Sequence, residues 1–436
     1  MTMSLRRKFF QFVIPSIISM WIYSLYTMVD GVFVAAGVGE HALAAVNLSL
    51  PYVNVLFSLG MLFAAGTSAL ISMALGRGER ETACRYFNQN LVVVSVVCAA
   101  VTAATLLALE PIAVFLGGGA ETLDFVKQYV SVIAPFAVFF ALSYNLELQV
   151  KADGAPQVST AGILCCGLMN VALDYLFVMR LHWGVRGAAL ATGMAQVAST
   201  AVFVVYFLFR RKRLEFGWFG WELGIYRRSL PLGLSDGLTE LSNALVIFAF
   251  NLTIIRVLGE DKVASYTIIG YVNTLVLMTM SGTAQGIQPI VSFHYGAGEE
   301  KACHTILRYG ARAVLAFSGV LFAAVELLAP VIVGLFLEEA SPLYLYTVEA
   351  LRKFGVSFLL VGWNVLASGF FTAVGLSRFA LPISLGRGCV LLLASLAVTA
   401  FVIGGEALWF ATALAEGLCL LLTAAFFLRY ARNCRG

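Results

Sequence analysis

The chain has 436 residues, of which 60% are hydrophobic and only 12% charged, and its mean hydropathy is +0.90. A soluble globular protein of this length carries more charge, so the composition excludes that class and indicates a polytopic membrane protein. The formal net charge of +4 is modest. It gives no indication of a nucleic-acid partner, and the distribution of charge along the chain is more informative than its size.

Twelve apolar segments follow one another along the chain. A helix needs roughly 20 apolar residues to cross a hydrocarbon core about 30 Å thick. Runs without Asp, Glu, Lys or Arg, such as residues 41–75 and 263–298, anchor the count. We therefore predict an all-α polytopic membrane protein with twelve transmembrane helices, at residues 9–35, 46–73, 86–108, 125–148, 157–179, 187–209, 229–256, 263–292, 305–327, 346–374, 380–403 and 407–429.

Basic residues are unevenly divided between the two sides of the membrane in this arrangement. The side with both termini holds 21 of the 28 Lys and Arg residues. The positive-inside rule therefore predicts a multi-pass protein of the cell membrane with both termini in the cytoplasm. Residues 1–8 are too few for a cleavable signal, so we expect the first span to be retained.

The second half of the chain repeats features of the first half at an offset of about 220 residues. Gly76-Arg77-Gly78-Glu79 aligns with Gly296-Ala297-Gly298-Glu299, and Asn145 aligns with Asn364. Because six spans separate the repeats, the two halves share one orientation, and a pseudo-twofold axis runs along the membrane normal. We predict two six-helix lobes that face each other across a cleft, with an N-terminal lobe (1–212), a basic cytoplasmic linker (213–228) and a C-terminal lobe (229–436).

The longest basic loop, Arg210–Arg228, falls at the midpoint of the chain. Its simplest interpretation is an orientation signal that also contacts the anionic headgroups of membrane lipids. We favour that interpretation over the binding of nucleic acid or of a protein partner.

Two acidic residues lie within otherwise apolar spans, where a carboxylate is costly and indicates a function. Asp30 ends an uncharged run in the first span, and Asp174 follows Asn170 by four residues in the fifth span, so these two share a helical face. Thr192 lies at the same depth in the sixth span. Their oxygen atoms suit sodium or a proton better than a transition metal. We predict a cation site at Asp30, Asn170, Asp174 and Thr192, against the alternative that both acids cap helix ends or reach the interface.

A second polar group lies in the seventh span. Glu240 is close to mid-membrane, so it must face a wet cavity or carry a proton, and Asp236 shares its helical face. Aromatic side chains in the spans can hold flat organic cations through cation-π contact. We predict that the substrate cavity includes Glu240, Asp236, Asn243 and Tyr26, and that Arg387 pairs with an acid such as Glu147 or Glu416.

The sequence gives little support to an enzyme or a metalloprotein. The eight cysteines and four histidines lack metal-ligand spacing, and no His-Glu-x-x-His or Gly-x-Ser-x-Gly motif is present. We therefore expect no cofactor beyond the coupling ion and no enzymatic activity.

Several motifs resemble the bacterial branch of the multidrug and toxic compound extrusion (MATE) family. They are Asn170-x-x-x-Asp-Tyr-Leu-Phe177, the segment Trp183–Thr192, Ala152-Asp-Gly-Ala-Pro156 and Glu240-Leu-Ser-Asn243, and the resemblance covers the whole chain. It implies a secondary antiporter that exports small organic cations in exchange for H+ or Na+, without an obligate protein partner, by alternating access of the two lobes. Asp30, Asn170, Asp174 and Thr192 match the family's cation-binding set. Asp153 departs from the family pattern, in which a neutral residue is common.

A lipid-linked sugar or polysaccharide flippase of the same superfamily is the alternative function. A cavity for pyrophosphate should be cationic, whereas the ionisable residues predicted within the membrane are mostly acidic, with Arg387 the exception. The charge pattern therefore favours a cationic cargo.

Overall fold

The computed structural model describes residues 4–433, which are almost entirely helical and include no β-strand. Twelve helices, one of them bent, are long and apolar enough to cross a membrane. We label them α1 Leu5–Gly37, α2 Glu40–Gly76, α3 Arg80–Leu107, α4 Leu123–Ala152, α5 Pro156–Arg180, α6 Gly184–Phe209, α7 Leu223–Val257, α8 Glu260–Gly296, α9 Glu300–Gly334, α10 Pro342–Gly355 with Phe358–Ala373, α11 Ser377–Ile403 and α12 Gly405–Arg432. The predicted all-α class and span count are confirmed.

The helices differ from the prediction mainly at their ends and at one bend. Helix α10 turns by 41° between Gly355 and Phe358, shortly after Arg352 and Lys353, where the sequence analysis predicted one continuous span. A short helix, Leu109–Phe115, follows α3. Helix α7 begins with a 3-10 turn at Leu223–Ile225, so its first turns include residues that the sequence analysis assigned to the linker.

Both halves of the chain use the same loop geometry. Four pairs of glycines have positive φ angles, which glycine adopts at little cost because it lacks a Cβ atom. Within each pair the offset is close to the offset of the sequence repeat. The pairs are Gly39 and Gly259 (φ 80° and 104°), Gly78 and Gly298 (80° and 75°), Gly154 and Gly375 (89° and 75°), and Gly184 and Gly404 (59° and 119°). The chain therefore forms two six-helix lobes related by a pseudo-twofold axis.

The lobes meet where α2 packs on α7 and where α1 packs on α8. Glycines let the backbones approach closely at these crossings. A methyl group on Gly286 would lie 2.6 Å from Val13 Cα, and one on Gly66 would lie 2.9 Å from Ser229 Cα. These two contacts are related by the repeat. We call the full set the glycine seam, and its members are Gly66, Gly76, Gly233, Gly282, Gly286 and Gly296.

The glycine seam holds the lobes together on the side of the membrane that carries both described ends of the chain. Gly76 packs against the backbone of Phe293, and Gly296 packs in the same way against Met73, each near the last turn of its helix. The parts of α1 and α8 farther from the chain ends line a cavity instead. The molecule is therefore closed on the seam side and has its cavity on the opposite side.

The segment between the lobes is fastened to the N-terminal lobe. Asp153, which is 1% exposed, accepts hydrogen bonds from the backbone N–H groups of Lys212, Arg213 and Leu214 at 2.7–2.8 Å. The hydroxyl of Tyr206 donates to the same carboxylate at 2.6 Å. A neutral apolar residue at position 153 could not accept these bonds. Asp153 thus has a structural role in this chain.

Candidate functional site

A cavity of about 590 Å³ lies between the two lobes. Its lining residues on α1 and α8, from Met20 to Tyr26 and from Tyr266 to Gln285, occupy the parts of these helices that point away from the glycine seam. The cavity therefore opens on the side opposite the described chain ends. Its walls are rich in aromatic rings, contributed by Tyr23, Tyr26, Phe57, Phe140, Tyr144, Phe250, Tyr266 and Tyr271.

Four ionisable acidic and basic residues line this cavity, and three of them are in ion pairs. Glu147 accepts from the Nζ atom of Lys151 at 2.7 Å, and Arg387 pairs with Glu416 at 3.1 Å. Glu240 has a different environment, because its side chain accepts a 3.5 Å hydrogen bond from the Asn243 amide. Of the acidic residues that line the cavity in the described part of the chain, it is the one outside an ion pair.

Three of the four residues predicted for the substrate cavity line it, namely Tyr26, Glu240 and Asn243. The fourth, Asp236, lies one helical turn before Glu240, on the seam side, and is not among the lining residues. The next residue, Gly237, packs against α2, where an added methyl group would lie 3.1 Å from the carbonyl oxygen of Ser58.

The two predicted intramembrane aspartates come together at the interface of α1 and α5. The carboxyl groups of Asp30 and Asp174 are within hydrogen-bonding reach of each other, and the Asn170 amide donates to Asp30 at 3.5 Å. Asp174 is 0% exposed, so it does not reach outward to the interface. We call Asp30, Asn170 and Asp174 the acid site.

The acid site has unused ligand atoms. Both carboxylate oxygens of Asp174 and the amide oxygen of Asn170 are buried without a hydrogen-bond partner among the described residues. A buried acceptor without a donor is costly. A proton shared between the carboxyl groups, or a small cation with oxygen ligands, would satisfy these atoms. As ligands, these three oxygen atoms therefore suit H+ and Na+ equally well.

Helix α5 changes its geometry directly after Asp174. Residues Tyr175–Arg180 form a π-helical segment, whose wider turns are uncommon and occur frequently at functional sites. Because Asn170 lies one α-helical turn earlier, the two ligating side chains stay on the same face of the regular part of the helix.

The Thr192 hydroxyl donates to the carbonyl oxygen of Ala188 in α6 at 3.1 Å, a common bond within a helix. Its membership in the cation site stays a prediction. Tyr129 of α4 lies within electrostatic range of Asp30 and Asp174 and is 4% exposed. The sequence analysis missed it because nothing in its local pattern distinguishes it from other aromatic residues of the spans.

Tyr26 separates the acid site from the cavity. It lines the cavity, and its ring stands edge-on to Tyr23 with centroids 5.3 Å apart. It also lies close to Asp30 and to the thiol of Cys166, and it packs against Gly167 of α5. A change at the acid site can therefore reach the cavity through one side chain.

The predicted ion pair of Arg387 is confirmed, with Glu416 of α12 as its partner. Arg387 lies in a second π-helical segment, Gly386–Val390 of α11. The other oxygen of Glu416 accepts from the Asn364 amide at 2.8 Å, and Asn364 in turn accepts from the Thr423 hydroxyl at 2.8 Å. As to metals, the described residues contain no group of three or more His, Cys, Asp or Glu side chains placed to bind an ion.

The family model described as MatE matches the chain twice, at residues 15–176 and 237–399. This chain belongs to the MatE family. The family predicted from the sequence is therefore confirmed, and the two matches repeat at the spacing of the two lobes. Members of this family are transporters, so the chain is a transporter and not an enzyme.

Relatives and solved structures agree with membership in the MatE family. The chain is 25% identical to a multidrug export protein, MepA, of Staphylococcus aureus over 94% of this chain and 90% of the relative. A structure described as the outward-facing conformation of a multidrug resistance MATE family transporter matches with a TM-score of 0.93, at 21% identity, over 100% of this chain and 98% of the other.

A third match has the same fold but a binding pocket that is described differently. A Pyrococcus furiosus transporter of the MOP superfamily matches with a TM-score of 0.90, at 22% identity, over 98% of this chain and 96% of the other. It is described as having a binding pocket of reverse polarity that suggests a different function. At this identity both structural matches show the shared fold alone, so the cargo has to be inferred from the residues of this cavity.

Proposed function

We propose that this protein is a secondary antiporter that exports organic cations in exchange for H+ or Na+. The observation that carries the proposal is the acid site, in which two carboxyl groups and an amide oxygen meet without a basic partner. Charge buried in a membrane interior costs several kcal/mol unless it is neutralised. A cation that binds to these carboxyl groups from one side of the membrane and leaves to the other side would neutralise them within a transport cycle.

The cargo follows from the cavity. Glu240 supplies a negative charge outside any ion pair, and aromatic rings surround it. A flat organic cation gains both a charge interaction and cation-π contacts in such a cavity. The multidrug export function in the name of the 25% identical relative supports the same class of cargo.

The distribution of charge in the cavity favours export of cations over transport of lipid-linked sugars. A pyrophosphate group requires an excess of basic residues around it. The single arginine that lines this cavity already pairs with Glu416, and Lys151 beneath it pairs with Glu147. The cavity therefore has no excess of positive charge, and Glu240 adds a negative charge outside these pairs.

We propose that the protein works by alternating access, with the glycine seam as the contact that opens and closes. With the termini in the cytoplasm, as we propose from the positive-inside rule, the present arrangement is closed inside and open outside. Loading cargo from the cytoplasm requires the seam to separate and the far ends of the helices to approach. Neutralisation of the acid site next to Tyr26 is the event that we propose to bias these two arrangements.

The test uses purified protein in liposomes with ethidium as the organic cation. A Na+ gradient and a pH gradient are imposed in separate experiments, with valinomycin and potassium to clamp the membrane potential. We expect ethidium to move against its own gradient when at least one ion gradient is present. Movement that depends on neither gradient would contradict secondary antiport.

A further inference from the structure

Arg387 is the one basic residue that lines the cavity in the described part of the chain, and it lies between α7 and α12. It lines the cavity together with its neighbour Gly388, and its side chain is 14% exposed. A guanidinium inside a membrane protein is costly to desolvate, so a role limited to packing would be served better by an apolar residue.

The ion pair leaves part of the guanidinium unused. Nε and Nη2 both point to the same oxygen, Oε1 of Glu416, at 3.2 and 3.1 Å. A guanidinium has five N–H donors, so Nη1 and one N–H of Nη2 remain. Arg387 lines the cavity, and no hydrogen bond from Nη1 to another described residue is found, so this donor is available to a ligand.

The surrounding residues hold the guanidinium of Arg387 in one orientation. Glu416 is 3% exposed, and its second oxygen is held by Asn364, which is itself held by Thr423. A chain of satisfied hydrogen bonds of this kind restricts the rotamers of its members. The guanidinium is therefore oriented before any ligand arrives, which lowers the entropic cost of binding a planar oxyanion.

Arg387 and Glu240 stand at one level of the cavity. Their sequence neighbours touch, because a methyl group on Gly388 would lie 3.8 Å from Thr239 Cα. Since successive Cα atoms are about 3.8 Å apart, the Cα atoms of Glu240 and Arg387 are separated by at most about 13 Å. Because both residues also line the cavity, one small organic molecule with a cation at one end and an anion at the other can reach both.

We propose that the cavity has a carboxylate subsite at Arg387 and accepts amphoteric cargo, meaning organic ammonium compounds that also carry a carboxylate. The cargo amine lies toward Glu240, and the cargo carboxylate takes the remaining donors of Arg387. The inference rests on the proposed export function, but binding tests it separately from transport.

The test compares two dyes that differ in one group. They are a zwitterionic rhodamine with a free ortho-carboxyphenyl group and its methyl ester, which keeps the cationic xanthene but lacks the carboxylate. Dissociation constants for the purified protein are measured by fluorescence anisotropy. The variant is Arg387→Gln with Glu416→Gln, which removes both charges together and leaves hydrogen-bonding amides in the same space, so no single buried charge remains unpaired.

We expect the double variant to bind the free acid about tenfold more weakly while it binds the ester as the wild type does, since a charged hydrogen bond contributes on the order of a factor of ten. Retained ester binding shows that the variant is folded. Equal losses for both dyes, no loss for either, or failure of the wild type to bind the acid would each overturn the subsite. Selective binding without gradient-driven export in liposomes would instead contradict the antiporter and leave the subsite standing.

Discussion

The two lobes share one architecture but place their ionisable groups at different positions. At the offset of the repeat, Asp30 corresponds to Phe250, and Asp174 corresponds to Ala394. Phe250 stacks on Tyr266 with the ring planes 2° apart, so an aromatic contact stands where the N-terminal lobe has an acid. The C-terminal lobe therefore has no counterpart of the acid site.

The reverse holds for the ion pair. Arg387 corresponds to Gly167 and Glu416 to Gln196, so the N-terminal lobe lacks both charges. The pair in the C-terminal lobe is neutral by itself, whereas the acid site needs a cation from outside. From this difference we propose that the coupling ion binds in the N-terminal lobe and that the C-terminal lobe shapes the cavity.

The largest expected effect is that of Asp174→Asn. The amide fills the same space but cannot hold a positive ion by charge, so gradient-driven ethidium export should fall to background while the protein remains folded. The matched control is Asp261→Asn, which changes the same residue type in an exposed loop. Full drug resistance of cells that carry Asp174→Asn would remove the acid site from the mechanism.

Asp30→Asn should also reduce gradient-driven ethidium export, but by less than Asp174→Asn, because Asp174 is the more deeply buried acid of the pair. We expect residual export at roughly a tenth of the wild-type rate. The measurement is the initial rate in the same liposomes. If Asp30→Asn proved more damaging than Asp174→Asn, the order of importance within the acid site would be reversed.

Glu240→Gln tests whether cargo and ion use different acids. Loss of this charge should weaken the binding of ethidium by about tenfold, in line with a charged contact, and leave ion movement through the acid site intact. Titration of ethidium fluorescence measures the affinity. Unchanged affinity for cationic cargo would exclude Glu240 from the cavity's binding role.

The glycine seam offers the test with the smallest expected effect on export. Gly286→Ala places a methyl group against Val13 and should hinder closure on the seam side, reducing export several-fold. Gly319→Ala is the control, since a methyl group there meets no atom within 4 Å. Equal export rates for the two variants would argue against a seam that opens and closes in the cycle.

The sequence predicted most of the fold and part of the site. Spans are readable because charge is excluded from the bilayer core, and the acid site is readable because Asn170 and Asp174 lie on one helical face. The bend in α10 follows Arg352 and Lys353 and includes Gly355 and Ser357, residues through which the sequence analysis drew one continuous span. Contacts such as Asp153 with the linker depend on tertiary packing, which residue spacing does not encode.

Counting residues along a helix predicts the depth of a side chain but not its direction. The place of Thr192 in the cation site therefore stays a prediction, and its hydroxyl bonds to a carbonyl oxygen within α6. Lys151 is 1% exposed and reaches Gln285 of the opposite lobe at 3.4 Å, a contact that residue counting does not predict. Pairing with Glu147 makes that burial affordable.

The most direct test of the acid site follows the ion instead of the cargo. Liposomes with an imposed ethidium gradient and no ion gradient are monitored for the opposing movement of H+, with an internal pH dye, and of Na+, with radioactive sodium. We predict that wild-type protein moves one of these ions against the flow of ethidium and that Asp174→Asn moves neither. Wild-type ion movement in the Asp174→Asn protein would contradict the assignment of the coupling ion to the acid site.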